Sequence, residues 1–225
     1  MSIIIRHAET EEDRRRVFQF RYAIYVEEMQ RPQDYADHSA KTIEEPLDET
    51  GRILLAEDEA GKVVGTVRLN FGSDTDFGYY VNLYSMECVG SSFPERVSIT
   101  TKLMVSRELR GGTLGCRLAM ATYRDALAWG ILFDFIDCNP HLEPVFARLG
   151  YRRYTGRILH PEYGDVLPMI LPLTDLEHLE AEGSPFAKIC REHCIHHAAN
   201  RRVRDLAAAF AEAPAAENAQ LTQPA

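Results

Sequence analysis

The 225-residue chain lacks a long hydrophobic run. Its opening, MSIIIRHAETEEDRRR, sets only three apolar residues in a row before charges begin, too few for a signal peptide or a membrane span. Basic charge is also in short supply. Lys and Arg number 25 against 34 Asp and Glu, a formal net charge of -9, which argues against a general nucleic-acid binder. Cysteine is sparse and odd in number (Cys88, Cys116, Cys138, Cys190, Cys194), which reads as reduced thiols in a cytoplasm. No CxxC or HExxH spacing occurs, so no metal is expected. Tryptophan is present once, as Trp129.

What is present is enough for one sizeable core, with 45% of residues hydrophobic. Thr10 is placed to cap a helix through EEDRRRVFQFRYAIYVEEM, with acids in its first turn and Val17, Phe20 and Ile24 at helical spacing. Residues 30–50 show no apolar period and read as a long loop, and residues 71–97 as irregular chain. Residues 53–57 and 63–69 form a hairpin around DEAGK. SITTKLMV and FDFIDCN read as strands, LEPVFARLG as a short helix stopped by Gly150, and YRRYTGRIL and DVLPMILPL as two closing strands. A last helix is expected over 184–213, before an Ala/Pro/Gln-rich tail, 214–225, that reads as disordered. This order of elements predicts an α/β (α+β) fold, a mixed central sheet flanked by helices.

Between the two strands lies SRELRGGTLGCRLAMATYRDALAWG. A glycine-rich turn at the mouth of a helix presents free backbone N–H groups at the positive helix end, a geometry that binds phosphate. Arg110 adds charge beside it, with Arg107 and Arg117 near in sequence. A plain packing turn with an arginine-rich rim explains the same residues.

The strand, RELRGGTLG, helix, FDFIDCN and LEPVFARLGY in that order resemble the acyl-coenzyme-A site of the GNAT acyltransferase superfamily, over roughly residues 53–173. The family turn, Arg/Gln-x-x-Gly-x-Gly/Ala, is matched by Arg110-Gly111-Gly112-Thr113-Leu114-Gly115, with Thr113 where the middle glycine belongs. Asn139 through Leu149-Gly150-Tyr151 matches the later signature. FRYAIYVEEMQR is similar to the first helix of acyl-homoserine-lactone synthases and long-chain N-acyl amino acid synthases: Arg21 and Tyr22 open the motif and Tyr25 holds its aromatic position. Glu45 and Asp48 fit the acidic end of the mobile loop, and Arg68 the arginine of the next strand. Ile99 and Lys102 replace a Glu-x-x-Arg pair of the lactone synthases, and their tryptophan is missing, so the N-acyl amino acid synthases are the nearer likeness.

The resemblance implies a GNAT-like domain over 1–183 and transfer of an acyl group, long by analogy, from an acyl-carrier-protein or acyl-CoA thioester to an amine such as an amino acid; the alternatives are a short-chain acetyltransferase of a small amine or protein and a non-catalytic acyl-thioester or lipid sensor. It places donor contacts at Val105, Arg110, Gly111, Gly112, Thr113, Leu114, Gly115 and Asn139, with a backbone N–H near Met104 or Val105 facing the developing oxyanion. Phe146 stands where many members carry a tyrosine acid. Glu45 and Asp48 are the candidate bases, or else ordinary loop acids. Arg21, Tyr25, Arg68 and Lys102 are the candidate acceptor contacts, the arginines either reading a carboxylate or pairing with those acids. Three further groupings have plainer explanations. Cys138 with His141 reads as a nucleophile pair or as a packed thiol. Cys190, His193, Cys194 and His197 read as one helix face or as a zinc site. Arg152, Arg153, Arg157, Arg201, Arg202 and Arg204 read as soluble surface or as a dock for an acidic carrier protein.

Overall fold

The structure, a computed structural model, describes residues 2–194. The expected helix beyond Cys194, His197, Arg201, Arg202, Arg204 and the 214–225 tail lie outside the described residues. β1 (Ile4–His7) leads into α1 (Glu11–Tyr22) through a capping box: the Thr10 hydroxyl accepts from the Asp13 N–H at 3.1 Å, and the Asp13 carboxylate accepts from the Thr10 N–H at 3.4 Å. The helix buries Val17, Phe18, Arg21 and Tyr22, while Phe20, expected inside, is half-buried. It runs on as a π-helical turn, Ala23–Glu28. One extra residue per turn rotates the face that follows, a device frequent at functional sites.

The loop over residues 30–50 is more ordered than expected. It holds the short hairpin β2 (Ala36–Asp37) and β3 (Thr42–Ile43) and a 3₁₀ turn, Pro46–Asp48. β4 (Arg52–Glu57) and β5 (Val63–Phe71) form the expected hairpin. The irregular stretch contains α2 (Tyr80–Leu83) and a 3₁₀ segment, Met86–Ser92. Then come β6 (Val97–Val105), α3 (Leu114–Trp129), β7 (Phe133–Cys138), α4 (Glu143–Leu149), β8 (Arg152–Arg153), β9 (Ile158–His160), β10 (Gly164–Pro172), α5 (Leu176–Ala181) and α6 (Phe186–Cys194).

The main sheet has the order β1-β4-β5-β6-β7-β10-β8, with β9 on β10. All its pairs are antiparallel except β6 with β7. Strand alternation gives the sheet two apolar faces. On one, α1 covers Ile53, Leu55 and Val63, and the 77–92 segment packs on Ile99, Phe133 and Phe135. On the other, α3 to α6 cover Leu69, Ile136, Leu167 and Leu171. Gly150 stops α4 at φ +111°, and a Cβ there would lie 2.4 Å from Leu179 Cδ2, so the turn and the packing of α5 both require glycine. No described helix is long and apolar enough to cross a membrane.

Candidate active site

The site begins with a mismatch of strand lengths. β6 pairs with β5 as far as Val105, but with β7 only at Val97, Ser98 and Ile99, opposite Phe133, Asp134 and Phe135. Beyond that the two parallel strands part. A bulge lies in the same stretch: three steps of β6, Thr101 to Met104, face two of β5, Arg68 to Thr66. Lys102 sits in the bulge with a left-handed φ of +56°, a strained conformation for a residue with a side chain. The open fork is lined by Lys102 to Val105 on one arm and by Ile136 to Cys138 on the other.

The glycine turn closes the far end of the β6 arm. Gly111 takes φ +78°, which favours glycine, and α3 starts at Leu114. Thr113 occupies the N-cap without a side-chain capping bond, leaving the first-turn N–H groups uncapped by it. Gly112 and Gly115 are open to substituents only in part, with Leu109 O and Val105 Cγ2 at 3.2 and 3.8 Å from their notional Cβ atoms. Arg110 donates from Nε to the Val105 carbonyl at 2.9 Å, and its guanidinium pairs with Glu28 of the π turn, Nη2 to Oε2 at 3.0 Å. Met104 is buried and Val105 half-buried.

On the α1 face the expected acceptor residues converge. Arg21 Nη1 donates to both Asp48 oxygens, at 2.9 and 2.8 Å. Arg68 reaches Asp48 Oδ1 and Glu45 Oε2, each at 3.0 Å, and its Nε donates to Thr101 Oγ1 at 3.0 Å. Lys102 pairs with Glu45 and with the Tyr163 hydroxyl, its Nζ 5.0 Å from the ring centres of both Tyr25 and Tyr163. Burial would push both carboxyls up, but Arg21 and Arg68 outweigh it at Asp48, holding that group at about 2. Lys102 and Arg68 likewise hold Glu45 below its usual value. Arg21, Arg68 and Asp48 are fully buried, so the arginines and acids already hold one another, and the two acids are fixed counter-ions with little appetite for a proton. Three cations against two carboxylates leave the cluster one positive charge in excess.

Several residues here were absent from the sequence reading. Asp137 follows Phe133 and Phe135 on the same face of β7; an acid at the inward register of an apolar strand was the available signal. Burial pushes its carboxyl up to about 6 against the pull of Tyr84 and Lys102. His160 is 1% exposed, and its Nδ1 accepts the N–H groups of Glu162 and Tyr163 at 3.1 and 3.3 Å, which puts the ring proton on Nε2. Burial, with Lys102 nearby, lowers its pKa to about 4, so the ring is neutral. It stacks on Tyr163 at 4.4 Å and lies 5.9 Å from the Tyr80 ring.

Other candidates fall elsewhere. Asn139 caps the 3₁₀ turn Pro140–Leu142, its carbonyl accepting from Leu142 at 2.8 Å. Phe146 meets Tyr151 edge-on at 5.9 Å and packs on the α3 side. Cys138 is buried against Met169, and burial pushes its thiol up to about 12, while His141 is exposed on a turn. This is a packed thiol. Cys190 and Cys194 lie 3.6 Å apart, and no group of potential metal ligands occurs among the described residues. Arg152, Arg153 and Arg157 each pair with a local acid: Asp175, Glu143 and Asp165.

No model of a known sequence family matches the chain, and no curated protein matches it by sequence. Solved structures do match. The CoA-dependent acyl-homoserine lactone synthase BjaI, with SAM and isopentyl-CoA, is 20% identical with a TM-score of 0.60, over 81% of this chain and 90% of that one. FeeM, an N-acyl amino acid synthase from uncultured soil microbes, is 13% identical with a TM-score of 0.62, over 84% and 98%. A putative N-acetyltransferase from Lactobacillus plantarum is 16% identical with a TM-score of 0.56, over 77% and 99%. At such identities the likeness is one of architecture alone, and this chain has a GNAT-like fold.

Proposed function

We propose that the chain is an N-acyltransferase that moves an acyl group from a thioester to the amine of an amino acid. The observation that carries this reading is the fork: parallel strands that pair through Ile99 and Phe135 and then separate, with an uncapped helix N-terminus at the end of one arm. A phosphate-bearing donor is held at residues 110–115, and its thioester enters between the arms. A backbone N–H at Met104 or Val105 then meets the oxygen that gains charge. The leaving thiolate needs no protein acid, since a thiol pKa near about 8.5 allows it to depart as such or through water. Phe146 has no proton to give.

The excess positive charge of the Arg21, Arg68 and Lys102 cluster favours an acceptor that brings a carboxylate of its own. In this reading Lys102, beside Tyr25 and Tyr163, is the cation nearest the fork, and Arg21 and Arg68 stand behind it. The pairing of Arg152, Arg153 and Arg157 with local acids favours acyl-CoA over an acidic carrier protein as donor. Packing favours a short acyl group over the long one that the resemblance implies. Tyr84, Met86 and Val89 of the 77–92 segment are packed against Phe133 and Phe135 and leave no room for a long chain there.

The test is thiol release from a panel of acyl-CoA and acyl-carrier-protein thioesters with an amino-acid mixture, with the amide identified by mass spectrometry. Two- to four-carbon CoA donors are expected to exceed a dodecanoyl donor at least about tenfold in kcat/KM, the effect of about 1.4 kcal/mol of displaced packing. Donor binding without thiol release would show a thioester sensor instead of an enzyme.

A further inference from the structure

Among the described residues, Asp137 Oδ2, the Tyr84 hydroxyl and His160 Nε2 are buried on the α1 face of the fork without a hydrogen bond of normal geometry, although Tyr84 stands close enough to Asp137 to pull its carboxyl down. Buried polar groups are nearly always satisfied, so each orphan asks for a missing partner. These three are linked. Tyr84 faces Asp137, Lys102 lies within electrostatic reach of both Asp137 and His160, and the Tyr80 ring stands between Tyr84 and His160, at 5.4 and 5.9 Å. Asp137 is two residues past the last β6–β7 pairing, on the arm opposite Lys102.

The geometry points to Asp137 as the base that takes the proton of the acceptor amine, with Tyr84 as its positioning residue. The assignment rests on the acyltransferase reading. Glu45 and Asp48 are enclosed by cations and are poor bases. Asp137 is different. Its carboxyl is faced by Lys102 from β6, by Tyr84 after α2 and by Tyr154 after β8, with Cys138 adjacent on its own strand. Burial dominates these neighbours and raises it to about 6, ionised at neutral pH yet basic enough to accept a proton in passing. Charge closes as well. An amino acid brings one charge of each sign, its carboxylate toward the cluster's single excess cation and its ammonium toward ionised Asp137.

The protons balance in sequence. The ammonium gives one proton to Asp137 Oδ2. The freed lone pair forms the C–N bond as the carbonyl pair moves to oxygen. On collapse the C–S bond breaks, and the second N–H proton leaves with the thiolate as thiol. Asp137 then returns its proton to water.

The experiment compares wild type, Asp137→Asn and Tyr84→Phe in steady-state transfer, with donor affinity and melting temperature measured beside it. Asp137→Asn is expected to lower kcat at least about 100-fold with a strongly basic amino acid, and far less with hydroxylamine, which is neutral at working pH. The acid limb of its pH–rate profile should vanish. Tyr84→Phe should move that limb to higher pH, because the ionised carboxylate loses a donor. Donor Kd should stay near wild type in both, and the melting temperature of Asp137→Asn should hold or rise at neutral pH, since Asn removes a carboxylate that burial disfavours. Equal losses with both acceptors, or an acid limb that survives in Asp137→Asn, would overturn the base assignment alone. Absence of thiol release in wild type with every acceptor would overturn the acyltransferase reading, and the base with it.

Discussion

Replacing Asp134 by Asn should change how stability depends on pH, by an amount the structure sets. Asp134 is buried on the α3 side of β7, where its oxygens accept from the Ser98 hydroxyl at 2.6 Å and the Tyr151 hydroxyl at 2.5 Å. Burial outweighs both bonds and raises its carboxyl from 3.8 to about 6. A folded value above the unfolded one means that folding favours the protonated form. The stability it confers is full below the unfolded pKa and is lost as pH rises through the folded one. A difference of about 2 units, at about 1.4 kcal/mol each, makes the loss about 3 kcal/mol between about pH 4 and pH 7. Asn has nearly the same shape and cannot ionise. It forfeits one accepted hydrogen bond, a constant offset of about 1 kcal/mol. Urea denaturation of both proteins from about pH 4 to pH 8 is the assay, read as the difference curve. Asp137 titrates in both proteins, so subtraction removes it. Asn should gain steadily on wild type, by about 3 kcal/mol in all. A difference curve flat to within about 0.5 kcal/mol would refute the claim that Asp134 is ionised at a desolvation cost.

Asp48→Ala removes the counter-ion shared by two buried guanidinium groups, and unfolding experiments should show a loss of about 3–5 kcal/mol. Because the Asp48 carboxyl is lowered to about 2, its contribution is present above about pH 4 and fades as pH falls toward 2; this part of the acid transition should disappear in the variant. Gly112→Asp sets a carboxylate at the turn, and its Cβ meets only Leu109 O at 3.2 Å, so the protein should fold while calorimetry shows acyl-CoA affinity lowered at least about tenfold.

Where the sequence carries its own local signal, reading and structure agree. Thr10 followed by Asp13 sets the start of α1, and Gly150 the end of α4. The hairpin of β4 and β5 is read from apolar runs around a turn. Arg21, Glu45, Asp48 and Arg68 were named as possible partners and do pair. What stayed hidden has no local signal. A lysine at positive φ looks in sequence like any strand lysine, since only glycine announces such a position. Phe18 replaces Phe20 inside because burial on α1 follows what the sheet and the β3 hairpin offer it, and spacing alone does not say which stripe that is. Asp137, Tyr84 and His160 come from three elements, brought together when β10 returns beside β7. That is a property of strand order, and no window of sequence contains it.

The early parting of β6 from β7 also sets a clock inside the sheet. Amides of β6 that point toward β7 beyond Ile99 have no strand to bond, although they lie at the centre of seven strands in series. Hydrogen exchange there should run ahead of the flanking strands, a fast seam in a slow sheet. A ligand that fills the fork would bond those amides and slow the seam alone. The same seam explains how so central a strand can yield locally: its far half answers to β5 on one side and to whatever enters the fork on the other.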